Sequence, residues 1–228
     1  MAKRSPTMDS QAVIVIDSSA TPSYLLSATG ADSYNVDDLP EGFRLDAGTG
    51  SIDLSGAPRG IYTFVASANN ATGVGNPQLH RIRVGTAYDL WASTFFGAGD
   101  VLDESKRSSG WGKLADPDGD QVPNIFENYH HSDPTLADAL TATIIPREIT
   151  PQNQYTFRWK RAKTSVSGVP VYQWSMDMIN WYDSGTGPSG DLRNITIAIQ
   201  SDNGADEDIE ATIDRGSEQN LFMRLKFQ

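Results

Sequence analysis

Short runs in which apolar and polar residues alternate, broken by clusters of Gly, Pro, Asp and Asn, constrain this chain more than any other feature. From Gly60 to Asn69 the alternation puts Tyr62, Phe64, Ala66 and Ala68 on one face. Tyr155-Thr-Phe157-Arg-Trp159-Lys-Arg161 alternates as strictly, with aromatic residues on one face and basic residues on the other. Val13 to Ile16, Tyr24 to Ala28 and His80 to Val84 add strand-like runs before residue 86. Val169 to Ser175, Ile195 to Ile199, Ile209 to Ile213 and Leu221 to Phe227 add more, in a part of the chain where strands are expected from Thr143 on. A period of two with frequent turn residues predicts a mainly β chain built of sandwiches. The expected layout is a polar arm over 1–11, a sandwich over 12–86, a helical linker over 87–140 and a second sandwich over 141–228.

The linker has a different period. Ala87 to Phe96 places Tyr88, Trp91 and Phe95 on one helical face, Asp100 to Gly112 reads as a polar loop, and Pro123 to His131 reads as a short helix ended by Ser132-Asp-Pro134. Between them runs Asp116-Pro-Asp118-Gly-Asp120-Gln-Val122-Pro-Asn124-Ile-Phe-Glu127. Counted from Asp116, oxygen donors fall at positions 1, 3, 5, 9 and 12, with a backbone carbonyl at 7, which is the ligand spacing of an EF-hand calcium loop. Ca2+ takes six to eight oxygens, and a glutamate on the first turn of a following helix closes the shell with both of its oxygens. The candidate ligands are Asp116, Asp118, Asp120, the Val122 carbonyl, Asn124 and Glu127. The loop departs from the family at position 6, where Gln121 stands in place of Gly; Gly119, two places earlier, relieves part of the strain. The plainer alternative is a solvated acidic turn. The expected affinity is weak, in the roughly 0.1–1 mM range of extracellular modules.

The stretch from Leu39 to Asn69 resembles a family of bacterial Ig-like domains, which are cadherin-like β-sandwiches. Leu39, Pro40, Gly42, Leu45, Asp46, Thr49, Gly50, Ile52, Gly56, Pro58, Gly60, Tyr62, Ala68 and Asn69 carry the resemblance. It implies a spacer or binding module and seldom a catalyst, although fold alone does not give function. The aromatic helix, the acidic loop and the helix after it are similar to a linker of environmental bacterial surface proteins, with a calcium loop of dockerin or thrombospondin type-3 character. That linker closes as Glu-Tyr-Ala-Leu-Gly-x-Asp-Pro, whereas this chain has Glu127-Asn-Tyr129-His130-His131-Ser-Asp133-Pro134, with an extra residue between Glu and Tyr and two histidines. Phe157, Lys160, Arg161, Tyr172, Ser175, Asp177, Trp181, Phe222, Arg224 and Leu225 resemble the C-terminal sandwich of the same proteins. Together these imply two Ig-like β-sandwich modules joined by a short helical calcium-binding linker.

Composition narrows the function classes. The formal net charge is −11, which argues against nucleic acid and anionic membranes as partners. There is no cysteine, so disulfides, thiolate metal sites and a Cys nucleophile are excluded. No apolar run is long enough to span a bilayer. The five apolar residues from Ala12 to Ile16 are too few for a signal core, so the expectation is a chain used without Sec export, or one trimmed of its leader. No Gly-x-Ser-x-Gly elbow or phosphate loop is present. His130 and His131 read as helix-end and surface residues more readily than as zinc ligands, and Asp202 to Asp208 reads as a hairpin turn more readily than as a second calcium site. Trp159 and Trp174 read as core, while Trp181, beside a turn, is equally suited to glycan stacking. The expected function is non-enzymatic: a structural or interaction protein with a calcium clamp between modules, assembled with other protein subunits. A virion component, such as a phage decoration, tail or fibre, fits best. The alternatives are an extracellular or cell-surface adhesion module and a glycan-binding module of a larger enzyme.

Overall fold

The alternating run at 60–69 forms the longest strand of the protein, Gly60–Asn70, and a second alternating run forms Gln154–Ala162. The computed structural model describes residues 4–19, 21–137, 148–149, 153–163, 168–217 and 220–227. Contacts divide the chain into two units, Met1–Ala115 and Asp116–Gln228. The fold is mainly β.

In the first unit the strands are β1 (Thr7–Met8), β2 (Val13–Asp17), β3 (Ser23–Leu25), β4 (Ala28–Thr29), β5 (Ser33–Asp37), β6 (Arg44–Leu45), β7 (Ser51–Asp53), β8 (Gly60–Asn70), β9 (Gly73–Val74) and β10 (Gln78–Gly85). One sheet runs β2-β10-β8-β5, with β9 paired to β8; a second runs β3-β7-β6; β1 pairs with β4. The β2–β10 pairing is parallel and the others are antiparallel. Alternation on β8 buries Phe64, Ala66 and Ala68, and Tyr62 packs on the same core beside Phe43. Tyr24, Leu26, Ile52 and Leu54 from the small sheet, with Ile82 and Val84 from β10, complete it. Two motif glycines are steric requirements. Gly42 has φ 83°, and a Cβ there would lie 2.5 Å from the Gly56 carbonyl oxygen; Gly50 has φ 77°, and its Cβ would lie 2.6 Å from the Leu26 oxygen.

The expected polar arm is held against the first unit over its described residues. Residues 4–10 lie on their own domain. β1 pairs with β4, the Asp9 N–H donates to the Ser27 carbonyl at 2.8 Å, and the Asn70 side-chain amide donates to the Arg4 carbonyl at 2.9 Å. Met8 adds an apolar contact to the core. Backbone groups that would otherwise sit unpaired at a sheet margin are satisfied this way.

The segment expected as one linker is shared between the units. Its first part packs on the first sandwich as α1 (Ala87–Phe96) and α2 (Ala98–Val101). A capping box starts α1: Thr86 Oγ1 accepts from the Asp89 N–H, and the Asp89 carboxylate accepts from the Thr86 N–H. The stretch read as a polar loop is wound into helical turns over Glu104–Lys106 and Arg107–Trp111. Trp111, 1 % exposed, is the reason. Its indole N–H donates to the Asp103 carbonyl at 3.2 Å, and its ring lies under the Arg83 and Arg107 guanidiniums at 4.8 and 5.1 Å.

The second unit contains α3 (Asn124–His130), β11 (Glu148–Ile149), β12 (Gln154–Ala162), β13 (Pro170–Ser175), β14 (Tyr182–Asp183), β15 (Ile195–Asp202), β16 (Asp206–Asp214) and β17 (Phe222–Phe227). One sheet runs β11-β12-β16-β15 and the other β14-β13-β17, all antiparallel. Tyr155, Phe157 and Trp159 fill the core with Trp174, Ile209, Ile213 and Leu221. On the opposite face of β12, Arg158 and Lys160 stand directly across from Glu210 and Asp208 and pair with them. The expected boundary at 140/141, and Thr143 where strands were expected to return, lie outside the described residues. No helix among the described residues is long and apolar enough to cross a membrane.

Candidate metal centre

The acidic loop opens the second unit, and its turns are made by its own carboxylates. Asp116 accepts from the Gly119 N–H through Oδ1 and from the Gln121 N–H through Oδ2, both at 2.9 Å. Asp118 Oδ1 accepts from the Asp120 N–H at 3.2 Å, and Asp120 Oδ1 accepts from the Val122 N–H at 2.8 Å. Each short acidic side chain bonds the backbone two or more residues on, the usual habit of Asp in turns. The chain doubles back at Gly119, φ 80°, and again at Gln121, φ 75°. Position 6 keeps the left-handed backbone that suits glycine while carrying Gln.

Those bonds leave one oxygen of Asp118 and one of Asp120 pointing elsewhere. Asp118 Oδ2 and Asp120 Oδ2 are buried and have no hydrogen-bond partner among the described residues. One oxygen from each of Asp116, Asp118 and Asp120 lies within 4.8 Å of the other two. Two ligands on opposite sides of one Ca2+ stand about 5 Å apart, twice the ion–oxygen distance, so the three aspartates fit around a single ion. Burial, together with the neighbouring Asp120 and Asp116 carboxylates, raises the Asp118 pKa above its ordinary value; the hydrogen bond from Asp120 N–H opposes this.

The other candidate ligands sit where the loop enters α3. Asn124 and Glu127 are both 0 % exposed, on the first turn of the helix. Glu127 lies outside the 4.8 Å aspartate group. Val122 is half-buried, and its N–H is fixed on Asp120. The helix is anchored by Ile125 and Tyr129, and Tyr129 belongs to the core of the second sandwich. It ends at His131, whose φ of 63° is the left-handed cap more often filled by glycine. His130 Nδ1 bonds the Lys160 carbonyl at 3.0 Å and His131 Nδ1 faces Asp206, so the pair turns to different partners.

The remaining sequence candidates are placed as follows. In the Asp202–Asp208 hairpin, Asp202 pairs with Lys163 at 2.5 Å, Asp206 with His131 and Asp208 with Lys160 at 3.8 Å. Trp159 and Trp174 are core residues. Trp181 is half-buried, with the Arg224 guanidinium 4.4 Å above its ring. A cleft of about 360 Å3, which no sequence pattern marked, opens beside the acidic loop between Pro123, Phe126, Trp159, Tyr172, Met223 and Leu225. Its walls come from four separate elements, so it has no signature along the chain.

No family model and no curated protein matches this chain. Among solved structures, an α-galactosidase-type protein from Bacteroides fragilis is 27 % identical over 40 % of this chain and 20 % of its own, with a TM-score of 0.34. A Bacteroides ovatus protein of a mixed-linkage glucan utilization locus, solved with a heptasaccharide, is 12 % identical over 100 % of this chain and 45 % of its own, at 0.27. The human desmocollin-1 ectodomain is 10 % identical over 100 % of this chain and 35 % of its own, at 0.32. The chain spans a fifth of the first of these and less than half of the others. Likenesses this distant carry no argument about activity.

Proposed function

We propose that this chain is a non-enzymatic interaction module whose second sandwich is held by one Ca2+ in the 116–127 loop. The observation that carries the reading is the pair of buried, unpartnered oxygens Asp118 Oδ2 and Asp120 Oδ2, set beside Asp116. Anionic oxygens gathered away from water repel one another and lose hydration, and a hard divalent cation offsets both costs. Asp116, Asp118, Asp120, the Val122 carbonyl, Asn124 and Glu127 would hold the ion, with Glu127 swinging toward the aspartates from the first turn of α3. Because α3 packs on the second core through Tyr129, the ion would brace this sandwich at the point where the chain enters it. The partners would be other protein subunits, in a virion or at a cell surface.

Calorimetric titration of the full chain with CaCl2 tests the reading. One site is expected, with heat abolished in Asp118→Ala. A flat titration, together with unfolding curves that coincide in calcium and in EDTA, would overturn it.

A further inference from the structure

β17 stands at the margin of its sheet among the described residues. β17 pairs with β13 along one side, from Pro170↔Phe227 to Ser175↔Phe222, and no strand pairs its other side among the described residues. Its inward residues Met223, Leu225 and Phe227 belong to the core yet stay half-buried. Phe227 is covered by α3, with the Phe126 and Tyr129 rings at 5.1 and 5.4 Å. Met223 and Leu225 instead line the 360 Å3 cleft, together with Phe126, Trp159 and the neighbouring-strand residue Tyr172. Among the described residues, therefore, one edge of β17 is unpaired, and its residues 223–225 line an apolar cleft.

The outward face of β17 identifies the chemistry of an incoming strand. Arg224 and Lys226 are exposed there, and neither has an ion-pair partner among the described residues. Arg224 is fixed in place: its Nε donates to Gln173 Oε1 at 2.7 Å and its guanidinium stacks on Trp181. The same sandwich shows how such a row is satisfied. Arg158 and Lys160 on β12 face Glu210 and Asp208 on β16, while the alternate residues Trp159 and Ile209 meet in the core. A strand alongside β17 obeys the same period of two: one set of side chains enters the cleft and the other stands beside Arg224 and Lys226.

We infer that β17 is a docking edge for an extended segment of a partner protein in which acidic and apolar residues alternate. Main-chain hydrogen bonds to β17 supply affinity, the cleft selects the apolar residues, and the two cations select the acidic ones. This deepens the interaction-module reading and does not require the ion. Basic residues on a sheet edge also serve to discourage pairing, and the experiment separates the two roles.

The probe is the peptide acetyl-Asp-Val-Asp-Phe-Asp-Val-Asp-amide, added to the full chain in calcium and, separately, in EDTA. Amide hydrogen exchange is expected to slow over residues 222–227 in at least one buffer. The double variant Arg224→Glu, Lys226→Glu, whose changed side chains are exposed, should bind the probe about tenfold more weakly, equivalent to about 1.4 kcal/mol, and should prefer the same peptide with Lys in place of Asp. Absence of protection at 222–227 in both buffers would overturn the inference, as would equal binding of the Asp and Lys peptides by the unaltered chain. Either failure leaves the calcium titration, and the reading that rests on it, untouched.

Discussion

The Gln121 N–H donates to the Asp116 carboxylate at 2.9 Å from a left-handed backbone, φ 75°. The turn that closes the acidic loop therefore rests on a residue with a Cβ in a region where that atom costs about 1–2 kcal/mol. The aspartate bond compensates by fixing the N–H where the loop needs it.

Gln121→Gly should relieve this strain. Part of the gain is returned, because glycine loses more conformational freedom on folding, about 0.5–1 kcal/mol. The expected outcome is a net stabilisation of up to about 1 kcal/mol with calcium affinity little changed, since the left-handed turn is already formed without the ion. Urea unfolding in EDTA and calorimetry in calcium read the two effects. A variant weaker in both would show that the Gln side chain contributes more than its backbone costs.

Asp118 should behave oppositely with and without the ion. Without calcium its charge is disfavoured by burial and by Asp120 and Asp116. Asp118→Asn removes that charge at nearly constant shape. In EDTA the variant should unfold at a higher temperature than the unaltered chain. With calcium present at about a hundredfold above its dissociation constant, the unaltered chain gains about 2.7 kcal/mol from binding, and the variant loses most of that gain. Thermal unfolding of both proteins in both buffers should show the order reversing. An unchanged order would count against ligation by Asp118.

How much of this was legible in the sequence depends on the range of the interaction. Tyr62, Phe64 and Ala66, or Tyr155, Phe157 and Trp159, declare their face within one strand, because a period of two is local. The loop carboxylates are legible for the same reason, since their bonds span two to five residues. Trp111 was not: its polar surroundings suggested a loop, while its burial depends on Arg83, far back in the chain. The partners of the N-terminal residues are not legible either, because Thr29 and Asn70 are also distant in the chain. The cleft under β17 is assembled from strands and a helix that no single window contains.

His80 gives the first unit a pH response. It is buried, with Nδ1 3.0 Å from the Tyr24 hydroxyl and its ring stacked on Phe64 at 5.3 Å. Burial lowers its pKa below 6.5, against an opposing hydrogen bond that the ring donates to the Gln11 backbone. The fold thus favours the neutral ring. The stabilisation is fully present above the unfolded value near 6.5 and is lost as pH falls toward and through the folded pKa. His130, lowered by burial in the second unit, adds a contribution of the same sign. Stability from urea unfolding should therefore fall as pH drops below 6.5, and His80→Gln should flatten the first unit's share of that slope. An identical slope in the variant would assign the response elsewhere.

The last prediction concerns the charge cluster that holds the helices to the first sandwich. Arg83 projects from β10, with 11 % of its side chain exposed. It reaches Asp89 at 3.4 Å, contacts Glu104, donates to the Val101 carbonyl at 3.3 Å and covers the Trp111 ring. One guanidinium thus joins the sheet to α1, to the end of α2 and to the turns that bury Trp111. Arg83→Ala would leave the Asp89 carboxylate, 8 % exposed, without this cation and would uncover one face of the indole. Breaking a buried pair by removing one partner costs about 3–5 kcal/mol, because the remaining charge stays out of water. The expected outcome is destabilisation of the first unit by about 3 kcal/mol, with hydrogen exchange quickened over 87–111 and left unchanged over 154–162 and 206–214. Arg83→Lys should recover only part of the loss, since an ammonium cannot serve the carboxylates, the carbonyl and the ring together. If Arg83→Ala leaves exchange over 87–111 unaltered, the helices are held by Tyr88, Ala92 and Val101 alone.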